Sequence, residues 1–139
     1  MHTPASDLPH TPWSVRISGG ISARLAMEIY EVETLLDVVV VTSLAAELLR
    51  GARRMVWNGR HRAIAWGRLP ADDAEVTVHF SRGRLGRSRA RLAGMGHAAE
   101  VTPVGERFWT AEAEGRFDTV TVSHHGLREQ RRIVPARPW

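Results

Sequence analysis

"SARLAMEIYEVETLLDVVVVTSLAAELLRG", residues 22–51, holds the most apolar passage of the chain, and the period read into it decides the fold. Leu25, Ile29, Val32, Leu36 and Val39 recur at steps of four and three, the spacing of one helical face, while Glu28, Glu31 and Glu33 fall off that face. The spacing therefore predicts a helix from Ser22. Its far end is less sharply marked. "DVVVVTS" is β-branched and disfavours helix, and Ser43 suits the N-cap of a separate helix in "LAAELLRGA". A single helix over 22–50, closed by Gly51 as a C-cap, is preferred to a helix, strand, helix alternative. Valines at 38 to 41 would surround that helix on more than one side, so Val38, Val40 and Val41 are expected to meet a second surface.

Upstream, "WSVRIS" alternates Trp13, Val15 and Ile17 with Ser14, Arg16 and Ser18, the period of a half-buried strand ended by Gly19 and Gly20. Residues 1–12 carry three prolines and no periodicity and read as a flexible tail. Downstream of Gly51 the pattern becomes short alternating segments separated by turns. Asn58-Gly59 lies between apolar runs and suits a type I′ hairpin turn, which would set Trp57 beside Arg60 and Val56 beside His61. Further strands are expected at "EVTVHF", "FWTAEAE", "FDTVTVS" and "LREQRRIV", with turns at Glu114-Gly115 and His125-Gly126. The expected fold is thus α+β over residues 13–139, an N-terminal strand and one long helix packed on an antiparallel meander.

The 139 residues, 43% of them hydrophobic, suit one core. With no cysteine there is no disulfide framework, no thiolate zinc site and no thiol nucleophile. The start of the chain lacks the basic and apolar regions of a secretory signal, and Leu35 to Leu49 is too short and too polar to span a bilayer. A cytoplasmic protein away from the membrane is expected.

All 19 basic side chains are arginine, and they are segregated. Residues 1–49 sum to −4, residues 50–91 to +8, and the rest to zero, which accounts for the net charge of +4. Within the basic region "SRGRLGRSRARLAG" holds Arg82, Arg84, Arg87, Arg89 and Arg91. Flexible arginines can follow a phosphate backbone, so these five, with Arg60 and Arg62, are candidates for nucleic acid or another anionic partner. Against that, no aromatic platform lies between Ser81 and Ala99, and Arg87, Arg89 and Arg91 alternate as an exposed strand face would.

"GMGHAA" fits the spacing of a dinucleotide fingerprint, but an arginine-studded strand precedes it and Pro103 leaves no room for the helix that must follow. His124 and His125 adjoin, and strand neighbours point to opposite faces unless a turn distorts them, so no metal site is expected. Asp72, Asp73 and Glu75 with His79 could supply acid and base, yet "LPADDAE" reads first as a surface turn. An enzyme would need a pocket around His79, His97 or His124. The sequence therefore favours a non-enzymatic binding or assembly protein without cofactor, self-associating or joining a larger complex. Val38, Val40, Val41 and Trp139, the last in the apolar-aromatic "IVPARPW", are its candidate contacts. Binding of nucleic acid through 82–91 is the alternative, and a small enzyme comes third.

Overall fold

The stretch with helical spacing folds as a β-hairpin. In the computed structural model, which describes residues 11–19, 25–41, 48–70, 75–82 and 96–135, no helix is present among the described residues, and the fold is all-β. The expected α+β architecture and its helix over 22–50 are therefore corrected. Strand β2 (Ala26–Glu31) turns at Val32 and Glu33 into β3 (Thr34–Val40), and β1 (Trp13–Ser18) pairs with the other side of β2. Residues 22–24 and 42–47 of the expected helix lie outside the described residues.

The physical reason is the competing period. Met27, Ile29 and Glu31 alternate inward at steps of two and are buried, as is Val39 opposite Met27. Leu36 keeps the helical phase because it is the extra residue of a β-bulge, the register passing from Ile29↔Asp37 to Tyr30↔Leu35. Val32, counted on the helical stripe, is 59% exposed in the turn at φ 56°. A β-branched side chain rarely takes that conformation, which is why no turn signal shows in "EVET".

The remaining strands make two more sheets. Strands β4 (Gly51–Trp57), β5 (Arg60–Arg68), β8 (Val101–Val104), β9 (Phe108–Glu114) and β12 (Val134–Pro135) form one in the order β12-β4-β5-β9-β8. Strands β6 (Thr77–Ser81), β7 (His97–Ala99), β10 (Thr119–His124) and β11 (Leu127–Arg132) form the other, ordered β11-β10-β6-β7. Chain order and sheet order differ, so the expected meander is replaced by strands that cross between sheets. β7 runs into β8 across Glu100, and β11 into β12 across Ile133. The two sheets are thus joined along both margins, as strands that switch sheets make the corners of a barrel-like sandwich. The hairpin at Asn58-Gly59 forms with both expected pairs, Trp57↔Arg60 and Val56↔His61, and φ of 52° and 77° at its centre.

Three layers result, with the five-stranded sheet in the middle. One of its faces, bearing Ala63, Ala65, Trp109, Ala111 and Ala113, packs on Val78, Phe80, Val120 and Val122 of the four-stranded sheet. The other, bearing Ile64, Trp66 and Phe108, packs on Trp13, Met27, Ile29 and Val39 of the three-stranded sheet. β5 therefore reads as an unbroken buried run from Ala63 to Gly67, as a strand covered on both faces must. The alanines keep the first interface close enough for Trp109 to fit, its indole N–H donating to Leu48 O at 2.9 Å. Gly67 lies under the same carbonyl, where a Cβ would fall 1.7 Å from Leu48 O.

Candidate functional site

The layer between the three-stranded sheet and the sandwich has an apolar centre and two polar anchors built alike. At one, Glu31 accepts the Trp13 indole N–H at 3.1 Å and a two-pronged pair from Arg53, Nε to Oε1 at 2.9 Å and Nη2 to Oε2 at 3.0 Å. At the other, Asp37 accepts the Trp66 indole N–H at 2.9 Å and Arg50 Nε at 3.1 Å. Each carboxylate stands on the small sheet and each arginine on the segment that leads into or forms β4. A carboxylate that receives an indole and a guanidinium has its lone pairs occupied, so both sites hold sheet to sheet rather than present a base to solvent. The sequence sets Glu31 off the helical face and singles out no role for Asp37; their partners lie far along the chain.

Arg60 and Arg62, candidates for nucleic acid or another anionic partner, lie on the central sheet's face toward the three-stranded sheet. Arg60 pairs with Glu114 at 2.8 Å, and Arg62 approaches Glu112 at 3.9 Å, while Glu112 also accepts the Thr11 hydroxyl. Each thus has a carboxylate neighbour within the molecule. Arg82 follows β6 in a different sheet and is exposed, so Arg60, Arg62 and Arg82 do not form one patch. Arg84, Arg87, Arg89, Arg91 and Trp139 lie outside the described residues. Among the described residues, the buried side-chain nitrogens Trp57 Nε1, Arg62 Nε and His79 Nε2 have no hydrogen-bond partner.

The histidines do not converge. His79 and His97 belong to opposite faces of the four-stranded sheet, because His97 sits opposite Phe80, the neighbour of His79. His124 shares the inward face with Val122 and Val120, away from His79. The turn does bring the rings of His124 and His125 to 4.3 Å, through φ 47° at His125, and His124 Nδ1 lies 3.4 Å from Glu75 O. Among the described residues no group of three or more metal-ligating side chains occurs. Asp72 and Asp73 lie outside the described residues.

The three-stranded sheet differs from the sandwich in what it shows to solvent. Its outward face carries Arg16 over the Tyr30 ring at 5.5 Å, with the Tyr30 hydroxyl donating to Glu28 at 3.1 Å. That hydrogen bond to a carboxylate is the main reason the Tyr30 pKa lies above its ordinary value. Val38 and Val40, two of the expected contact residues, stand on this face opposite Glu28 and Ala26, and Val38 is exposed. Val41, the third, packs on the inner cluster instead. Val15, Ile17, Val32 and Leu35 are further exposed apolar side chains of this sheet.

Its two margins are also unlike each other. Val41 N–H donates to Leu25 O at 3.0 Å. Antiparallel alternation then turns the backbone groups of Val39 and Asp37 toward β2, and those of Val38 and Val40 toward the margin. There the Val38 N–H is taken by Asp37 Oδ1 at 2.9 Å. On β1, Val32 N–H donates to Pro12 O at 2.6 Å, so Ser14, Arg16 and Ser18 face β2, and Trp13, Val15 and Ile17 face the margin. The Trp13 N–H is taken by Thr11 Oγ1 at 3.2 Å, and among the described residues Val15 and Ile17 are the open part.

No family model, no curated protein and no solved structure matches this chain.

Proposed function

We propose that this chain is a non-catalytic assembly protein whose small three-stranded sheet is its contact surface, most simply with further copies of itself. The observation that carries the proposal is where the exposed apolar side chains lie. Among the described residues, Val15, Ile17, Val32, Leu35 and Val38 all belong to that sheet and its turn, whereas Val56, Leu127 and Val134 are scattered over the sandwich. Single exposed apolar residues are ordinary on any protein; here Leu35 and Val38 lie on the outward face, Val32 in the turn, and Val15 and Ile17 at the inward margin, so it is the layer as a whole, not one face, that gathers them. The two carboxylate anchors support the reading, because they hold the layer rigid against the sandwich and spare its outer side from holding the fold together.

The test is the native mass at micromolar concentration, measured before and after nuclease treatment. A stable oligomer that survives nuclease is the expected result. A monomer that recovers no protein partner would refute the proposal, and a mass that collapses on nuclease treatment would move the function to the arginine-rich segment.

A further inference from the structure

Three pairs of tryptophan and arginine serve the layer between the small sheet and the sandwich, and two of them share a carboxylate. Trp13 and Arg53 meet on Glu31, and Trp66 and Arg50 meet on Asp37. Trp57 and Arg62 are the third. Strand alternation puts both on the face of the central sheet that carries Arg53 and Ile64, and the register Trp57↔Arg60, Met55↔Arg62 makes them diagonal neighbours across the hairpin. Such neighbours stand about 7–8 Å apart, within reach of one another for an aromatic and a long side chain. Their donors have no acceptor: Trp57 Nε1 and Arg62 Nε are closed to solvent, and no described residue takes either. Two carboxylates lie beside Arg62, and both are engaged. Glu114, opposite it in the ladder, takes Arg60 at 2.8 Å, while Glu112 takes the Thr11 hydroxyl and stays 3.9 Å from Arg62 Nη2. The Arg62 side chain is 20% exposed, as buried as Arg53 at 21%, yet only Arg53 has a carboxylate at hydrogen-bond distance. A guanidinium so far removed from water is destabilising unless an acceptor meets it, and an indole N–H left open beside it adds to the penalty.

We infer that Trp57 and Arg62 form the binding site of a small carboxylic acid, whose carboxylate takes from outside the place that Glu31 and Asp37 take in the other two pairs. The chemistry follows from the repeat. One carboxylate has lone pairs enough for an indole N–H and two guanidinium N–H groups, and Glu31 holds that arrangement in this fold. Enclosure favours a small acid over the side chain of a partner protein, since the two nitrogens lie under the surface and not on it. Entry is at the tip of the hairpin, where Asn58 and Gly59 are exposed. Arg60, opposite Trp57 and 70% exposed, is the side chain that moves aside.

The test uses the full chain, with acetate as the probe. Each of the five tryptophans gives one indole N–H resonance, and Trp57→Phe identifies that of Trp57. Acetate should shift this resonance with half-saturation at about 10 mM and leave those of Trp13 and Trp66 in place, while sodium chloride at equal ionic strength should shift none of them. Arg62→Met leaves no charge without a partner, so it should fold with wild-type thermal stability or better, yet bind acetate about 10-fold or more weakly. Acetate should accordingly raise the Tm of the wild type and not that of Arg62→Met. A Trp57 resonance unmoved at about 100 mM acetate, moved as far by chloride, or moved in Arg62→Met as in the wild type overturns the site. Binding of a capped glycyl-glutamyl-glycine peptide as tightly as acetate would give the place to a partner's side chain and overturn the assignment to a small acid.

Discussion

Replacing Glu31 by glutamine tests the claim that a buried ion pair fastens the outer sheet. The residue is 5% exposed, and its carboxylate meets three donors, the Trp13 indole and two nitrogens of Arg53. Glutamine keeps the size and can still accept one of these bonds, but it leaves the Arg53 guanidinium, itself 21% exposed, without its counter-charge. Breaking one side of a buried pair costs about 3 kcal/mol. For a chain of this length unfolding entropy is about 0.3 kcal/mol per degree, so the melting temperature should fall by about 10 °C. Thermal unfolding followed by tryptophan fluorescence is the assay, because Trp13 and Trp66 both sit in the layer concerned. The double variant Glu31→Leu, Arg53→Met should recover to within about 1 kcal/mol of wild type, since neither charge is then left alone. A loss under about 1 kcal/mol in Glu31→Gln would show that the pair is screened and contributes as little as a surface salt bridge does.

Three further outcomes are expected. Val32→Gly should raise stability by up to about 1 kcal/mol in a denaturant melt, because an exposed β-branched residue at φ 56° gives way to one that takes that conformation freely; a loss would mean the valine packs in the folded state. Gly67→Ala should cost about 3 kcal/mol or prevent folding, since its Cβ would meet the Leu48 carbonyl oxygen and the Trp109 indole nitrogen, and near-wild-type stability would contradict that close approach. Tyr30 is the single tyrosine of the chain, so its ionisation can be followed by absorbance. Its pKa, raised mainly by the hydrogen bond to Glu28, should fall in Glu28→Gln. A raised folded value means this interaction is fully present below the unfolded pKa and is lost as pH climbs through the folded one, so that part of stability should fade at alkaline pH.

The strands with marked turns were legible. Asn58-Gly59 and His125-Gly126 both form tight turns with positive φ, and "WSVRIS" and "FWTAEAE" are strands over the residues expected. The helix misled because two signals that separate a hairpin from a helix were missing: the turn carries Val32 where glycine or asparagine would announce it, and the bulge at Leu36 restores helical phase on the far strand. β7 and β8 escaped notice because "HAAEVTPV" is short and interrupted by Pro103, which the edge position of β8 tolerates. Of the site, Arg60 and Arg62 are candidates for an anionic partner in the sequence, and the carboxylates beside them, 54 and 50 residues away, lie across the sheet where no local window shows them. Glu31 with Arg53 and Asp37 with Trp66 are likewise contacts that no local window displays.

The layered order of the fold sets a schedule for its making. Met27, Ile29 and Val39 leave the ribosome before Ile64, Trp66 and Phe108, the residues that will cover them. At common elongation rates of about 5–20 residues per second, Phe108 follows Val39 by several seconds. During that interval the small sheet can form its hairpins but has nothing to lie on, and its apolar underside stays uncovered until the central sheet is made. A chain built this way makes its outermost layer first and its foundation last.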